Sequence, residues 1–139
     1  MSENDLDEAR MARAREAFAG VPYAKFLGLQ LGELKNGEAS VHLEVRDQLK
    51  QNQGVVHGGA IASLIDTASA FAVVTQLEDE RVTTTDLTIH YLRPVTAGRL
   101  VATARILRGG RRLLVLSIEV TDDLGHLVAT AVTTYIKLQ

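Results

Sequence analysis

The run from Gly58 to Leu77, GGAIASLIDTASAFAVVTQL, decides the fold. Drawn as a helix, it carries Ala, Leu, Ile, Phe and Val on nearly every side, and Asp66 is its only ionisable residue. A helix that is apolar almost all round must be enclosed. The sequence on either side supplies the enclosure. Before it, Gly28 to Leu34 reads as a strand, Asn36-Gly37 as a hairpin turn, and Val41, Leu43 and Val45 alternate with Ser40, His42 and Glu44. A polar loop, Arg46 to Gly54, then leads into the helix. After it come four strand-like segments: Arg81 to Leu92, Leu100 to Leu107, Arg112 to Thr121 and His126 to Leu138. Their joints are Arg93-Pro94 with Gly98, Gly109-Gly110, and Asp122-Asp123-Leu124-Gly125. The order β-β-α-β-β-β-β predicts an α+β domain in which one curled sheet wraps the helix. Such a sheet keeps open edges, and pairing with a second copy is a common remedy, so a homodimer is expected.

Farther out, residues 3–19 read as a helix with Ser2 at its cap, acids in the first turn, and Leu6, Met11, Ala14 and Phe18 on a weakly apolar face. Gly20-Val21-Pro22 stops it. This divides the chain into an N-terminal helical arm, 1–22, and a main domain, 23–139. The 139 residues, 46% of them hydrophobic, suffice for one domain with a real core. A net charge of −2 gives no bulk attraction to nucleic acid or to an anionic membrane. The absence of cysteine excludes a disulfide scaffold, a thiolate nucleophile and a Cys-based zinc site. Residues 1–15 are studded with charge where a secretory leader has an apolar run, and no segment is long and apolar enough to span a bilayer. A cytoplasmic location is the expectation.

Chemistry concentrates at the helix start. Gly58 and Gly59 let another group approach the backbone. The first turn offers unpaired N–H groups and the positive end of the helix dipole, a ready site for a phosphate or a developing oxyanion. A tight loop-to-helix turn that needs glycine only for packing is the simpler alternative. Asp66 calls for a reason of its own, because a carboxylate in apolar surroundings costs several kcal/mol unless it is paired or hydrogen-bonded. That reason is either a structural hydrogen bond or catalysis. Gly59 and Asp66 lie seven positions apart, on nearly one face but roughly 10 Å apart along the axis. One carbonyl cannot easily receive both from the same helix. If both act on one substrate, the simplest arrangement sets Gly59 of one subunit against Asp66 of another, in a two-fold dimer with two equal composite sites.

The block Asn52…Gly54…His57-Gly58-Gly59…Asp66 resembles the signature of the phenylacetate-degradation (PaaI-like) branch of hotdog-fold thioesterases. Thr84-Thr85-Asp86-Leu87-Thr88-Ile89-His90-Tyr91-Leu92-Arg93-Pro94 and Asp123-Leu124-Gly125-His126-Leu127-Val128-Ala129 are also similar to that branch. The likeness runs from about Gly28 to the C-terminus. It implies the hotdog fold, a curled antiparallel sheet around one long central helix, in dimers often paired into tetramers, and hydrolysis of acyl-CoA thioesters without a cofactor or metal. It implies that Asp66 is the general base or the nucleophile and that the Gly59 N–H polarises the thioester carbonyl. It implies further that Asn52 and His57 help to hold the carbonyl or the water, and that Thr84 orients the water, within a Thr83-Thr84-Thr85 run whose register can slip by one. The sister branch has Glu where this chain has Asp66.

For the phosphates of coenzyme A, the candidates are Gly58, Arg93, and the Arg108, Arg111 and Arg112 that flank Gly109-Gly110; a solvated basic turn is the plain alternative for the arginines. His42, His90 and His126 lack ligand spacing and read as ordinary strand histidines, and Asp86 reads as structurally hydrogen-bonded. Two rival functions share the fold: an acyl-CoA-binding or sensing domain without turnover, and a hotdog dehydratase. The placement of an acid nine residues after His57 favours hydrolysis over dehydration.

Overall fold

The computed structural model describes residues 2–138; Met1, Gln139 and the side chain of Leu6 lie outside the described residues. Helix α1, Glu3–Ala19, opens on a capping box, in which the Ser2 hydroxyl accepts the Asp5 N–H at 3.2 Å and the Asp5 carboxylate reaches back to the Ser2 N–H. Gly20 ends it. A second helix, α2, Pro22–Leu27, follows at once. The sequence reading took Pro22 only as a stop and began a strand at Gly28. Instead Pro22 starts a helix, where its fixed φ and missing N–H are no loss. Gly28, at φ 76°, then closes it in the left-handed conformation, with two Arg46 nitrogens capping the carbonyls of Phe26 and Leu27. The first strand consequently starts two residues later than expected.

Strands β1 (Gln30–Lys35) and β2 (Glu38–Glu44) form a hairpin whose Asn36-Gly37 turn has Gly37 at φ 81°. A polar segment with a single 3₁₀ turn at Asp47–Leu49 leads to the central helix α3, Gly58–Val74. Strands β3 (Arg81–Tyr91), β4 (Arg99–Gly109), β5 (Leu113–Thr121) and β6 (Leu127–Leu138) complete one antiparallel sheet of order β1-β2-β4-β5-β6-β3. The two sheet edges are β1 and β3.

The sheet curls over α3, which packs against β2, β4 and β5. Leu64, Ile65 and Ala68 of the helix are fully enclosed with Val41, Leu43, Leu100, Leu116 and Val120 of the strands. Burial of each large aliphatic side chain stabilises the fold by about 1.5–3 kcal/mol. The helix stops at Val74, short of the expected Leu77. Buried Thr75 turns its hydroxyl back to the Ala72 carbonyl at 2.6 Å and accepts the Gly37 N–H at 2.8 Å, so the β1–β2 turn fixes the helix end. Helix α1 docks on the same end. Phe18 meets Phe71 edge-to-face at 5.1 Å, Arg13 donates to the Leu77 carbonyl, and Arg10 pairs with Glu78.

Candidate active site

One face of α3 is left uncovered by the sheet, and it carries Gly59, Ala62, Ser63, Asp66, Thr67 and Ala70, all only partly buried or exposed. Asp66 sits midway along it. Its Oδ1 accepts the Thr84 hydroxyl at 2.9 Å and the Tyr135 hydroxyl at 2.6 Å. The same phenol lies 2.8 Å from the Asp66 backbone carbonyl. A 2.6 Å contact falls in the range of a charge-assisted bond to a carboxylate. Burial, and then the hydrogen bond to Asp66, push ionisation of the Tyr135 phenol well above the tyrosine range. It therefore stays a donor. Asp66, Thr84 and Tyr135 open onto a cavity of about 380 Å³, whose other walls are Val21, Thr67, Ala70, Phe71, Val82 and Thr83.

The register of the threonine run has a local cause. Thr84 pairs with Tyr135 and Asp86 with Thr134, which leaves Thr85 as an extra residue in a β-bulge. Thr85 instead turns its hydroxyl to the Thr134 carbonyl at 3.1 Å. Up to the bulge Val82 and Thr84 face inward; beyond it Leu87 and Ile89 do. The shift brings Thr84 onto Asp66 and turns Asp86 out to solvent, where it accepts from Thr88 at 3.3 Å.

At the start of α3, His57 is the N-cap. Its Nδ1 accepts the Gly59 N–H at 2.8 Å, which requires the ring proton of a neutral imidazole to lie on Nε2. The N–H expected to be open toward a substrate is thus engaged by the preceding histidine. Both glycines have steric reasons: a Cβ on Gly58 would lie 3.3 Å from the Tyr91 ring, and one on Gly59 3.0 Å from His57 Nδ1. Tyr91 also donates to the Gly58 carbonyl at 2.8 Å. Asn52 and His57, both exposed, share a shallow cleft with Lys50, and Gly58 and Arg93 share a neighbouring groove with Ile61 and Tyr91.

The sequence candidates therefore fall into separate groups within one chain. Asp66 bonds to Thr84, Asn52 lines one cleft with His57, and Gly58 lines one groove with Arg93. Arg108, Arg111 and Arg112 are exposed at the β4–β5 turn, beside Gln76 just past the far end of α3. The length of α3 puts them about 24 Å along the axis from Gly58, so one chain does not bring them to Arg93. Tyr135 was missed by the sequence reading, because a tyrosine at an inward position of an aliphatic strand reads as core. The available signal was the pair Thr133 and Tyr135 on one inward face, opposite Ser69 and Asp66 on the helix; Thr133 does donate to Ser69 at 3.1 Å. Among the described residues no group of His, Asp and Glu is arranged to hold a metal ion, and no helix is long and apolar enough to cross a membrane.

Comparison with known proteins agrees with this architecture. The family model described as the thioesterase superfamily matches residues 53–129, more than half of the chain. The Escherichia coli PaaI protein from the phenylacetic acid degradation operon superposes with a TM-score of 0.90 at 29% identity, over 96% of each chain. PaaI from Thermus thermophilus superposes with a TM-score of 0.79 at 34% identity, over 85% of this chain and 100% of that one. The medium/long-chain acyl-CoA thioesterase YigI of Salmonella typhimurium is 31% identical over 131 residues, 83% of this chain and 84% of the relative. With the sheet wrapped on its helix and the His57-Gly58-Gly59 turn lying inside the matched segment, the chain belongs to the thioesterase superfamily, as a hotdog-fold thioester hydrolase of the PaaI-like branch.

Proposed function

We propose that the chain hydrolyses acyl-CoA thioesters to free acid and coenzyme A, with Asp66 acting on water or on the acyl carbon. The observation that carries this reading is the Asp66 carboxylate itself: the only ionisable group of α3, held by two hydroxyls, and open to a largely apolar cavity. A carboxylate so placed can take a proton from water as the water attacks the carbonyl and the coenzyme A thiolate leaves, or attack that carbon itself, expel the thiolate and be freed when water cleaves the resulting anhydride. The developing oxyanion needs donors. In this reading the thioester oxygen replaces the His57 ring as acceptor of the Gly59 N–H, and the His57 Nε2–H and Asn52 help to hold it. The acyl chain occupies the cavity walled by Val21, Phe71 and Val82.

Because Gly59 and Asp66 are two turns apart, the site is shared between subunits: Gly59 of one chain faces Asp66 of its partner. Support comes from β3, an edge strand with Thr84 on it and no neighbour on its outer side, which suits pairing about a two-fold axis. Two such dimers make a tetramer. Gly58 and Arg93, with Arg108, Arg111 and Arg112 of the neighbouring chain, supply the contacts to the coenzyme A phosphates. Residues 1–22 act as an arm on a catalytic domain formed by residues 23–139.

The test is release of free thiol from a panel of CoA esters that spans aryl-acetyl, short and medium acyl groups. Asp66→Ala is expected to lower kcat by about 10²–10⁴-fold. Equal, slow thiol release by the wild type and Asp66→Ala sinks the reading and leaves a binding domain. Hydration of an enoyl-CoA without thiol release would instead identify a dehydratase.

A further inference from the structure

We propose that Tyr135 is a positioning residue of this hydrolase, which together with Thr84 fixes Oδ1 of Asp66 and leaves Oδ2 as the oxygen that meets the substrate. The inference rests on the reading of Asp66 given above. Both hydroxyls bond to one and the same carboxylate oxygen, at 2.9 Å and 2.6 Å. Among the described residues nothing bonds to Oδ2. A carboxylate can exchange its oxygens by rotation about its last torsion, which is broad and two-fold. Two donors converging on Oδ1 remove that freedom. The phenol also touches the Asp66 backbone carbonyl at 2.8 Å, so it spans the side chain and the main chain of one residue.

The positioning group is itself held still. Tyr135 is only 2% exposed, lies on β6, and pairs across the ladder with Thr84 of β3. The two donors thus come from adjacent strands, and the acceptor comes from the helix those strands cover. The six remaining cavity walls carry no titratable group, and α3 carries none besides Asp66. Tyr135 is therefore the one other titratable side chain facing Asp66 from the elements that form the cavity. Its phenol remains protonated, so it donates without exchanging a proton in the reaction. Neither asparagine nor a second carboxylate is present to do the same.

The experiment compares Tyr135→Phe, Thr84→Val, Thr84→Ser and Asp66→Asn in steady-state thiol release over a pH series, with the melting temperature of each. Tyr135→Phe keeps the ring and loses one charge-assisted bond, so kcat falls roughly 10–100-fold while KM stays within about twofold. A fall in kcat at constant KM is the mark of a group that acts through Asp66 and not on substrate binding. Thr84→Val behaves in the same way, and Thr84→Ser, which keeps the hydroxyl, recovers most of the kcat that Thr84→Val loses. A purely structural tyrosine would change the melting temperature and leave kcat of the folded protein where it was. Folded Tyr135→Phe with wild-type kcat overturns the proposal. If Asp66→Asn is inactive at the same time, the Asp66 reading stands and only the role of Tyr135 is lost. If Asp66→Asn is fully active, the underlying reading has failed. Should Tyr135→Phe not fold, 3-fluorotyrosine at position 135 gives the same decision: an altered donor changes kcat at constant KM, and an unchanged kcat overturns the assignment.

Discussion

A carboxylate on a helix that is otherwise apolar needs donors, and at residue scale those donors are Thr84 and Tyr135. The tyrosine carries a signature in stability as well as in rate. Its phenol ionises less readily in the folded chain than in the unfolded one, first because it is buried and then because Asp66 accepts its proton. A folded-state value raised in this way gives stability that is fully present below about pH 10, where an unfolded tyrosine ionises, and that is lost as pH rises beyond it. Denaturant unfolding at pH 9, 10 and 11 should show the wild type losing about 1.4 kcal/mol per pH unit relative to Tyr135→Phe above that point. A constant difference between the two proteins across the series would refute the burial argument. At this scale Asp66 was legible because a lone charge in an apolar helix has few explanations. Tyr135 was not, since its partner lies 69 positions away and a phenol among branched aliphatics looks like packing.

Among the elements, the start of α3 and the middle of β3 do the most to place the site. His57 caps α3 through Nδ1, and it is also a candidate to hold the substrate carbonyl through Nε2. The two roles can be separated. His57→Ala removes the cap and should cost about 0.5–2 kcal/mol in denaturant unfolding, whereas His57→Asn restores an acceptor and most of that stability. Thiol release by His57→Asn stays low if Nε2 is needed, and returns to the wild-type rate if the histidine is a cap alone. In β3, the strand as a whole was plain from its alternation, but the Thr85 bulge was not. Three consecutive threonines give no hydrophobic phase, so only the paired strand fixes which of them turns inward. Short α2 was hidden for a related reason: Pro22 serves equally as the end of one helix and the start of another. The length of α3 was overestimated because Thr75, a buried hydroxyl, ends it through a bond to a hairpin far off in sequence.

For the whole molecule, the sheet order puts β3 at an edge and the Asp66 carboxylate within reach of it. If each site draws on two subunits, complementation follows. Gly59→Pro deletes a first-turn N–H that makes no intrahelical bond, its Cβ pushing the His57 ring aside, and Asp66→Ala deletes the carboxylate. Each variant alone is inactive. Unfolded, mixed and refolded together, they form hybrid dimers with one intact site, so the mixture should recover roughly a quarter of the wild-type thiol release. Recovery of none argues for sites contained in single chains. The α+β layering, the enclosed helix and the lone carboxylate within it could all be read from pattern and composition, because each is a local property of the sequence. The separation of Arg93 from Arg108, Arg111 and Arg112 could not, because the curl of the sheet, not the spacing along the chain, sets those distances.

The bond from Tyr135 to Asp66 also has a meaning in time. The two residues are 69 positions apart, and at ordinary rates of translation the phenol leaves the ribosome roughly 3–14 seconds after the carboxylate. Through that interval β3 has no partner strand, since it pairs with β6 alone, and neither Thr84 nor Tyr135 is fixed against Asp66. If Tyr135 positions Asp66 as proposed, the carboxylate is held in place only once the last strand has been made.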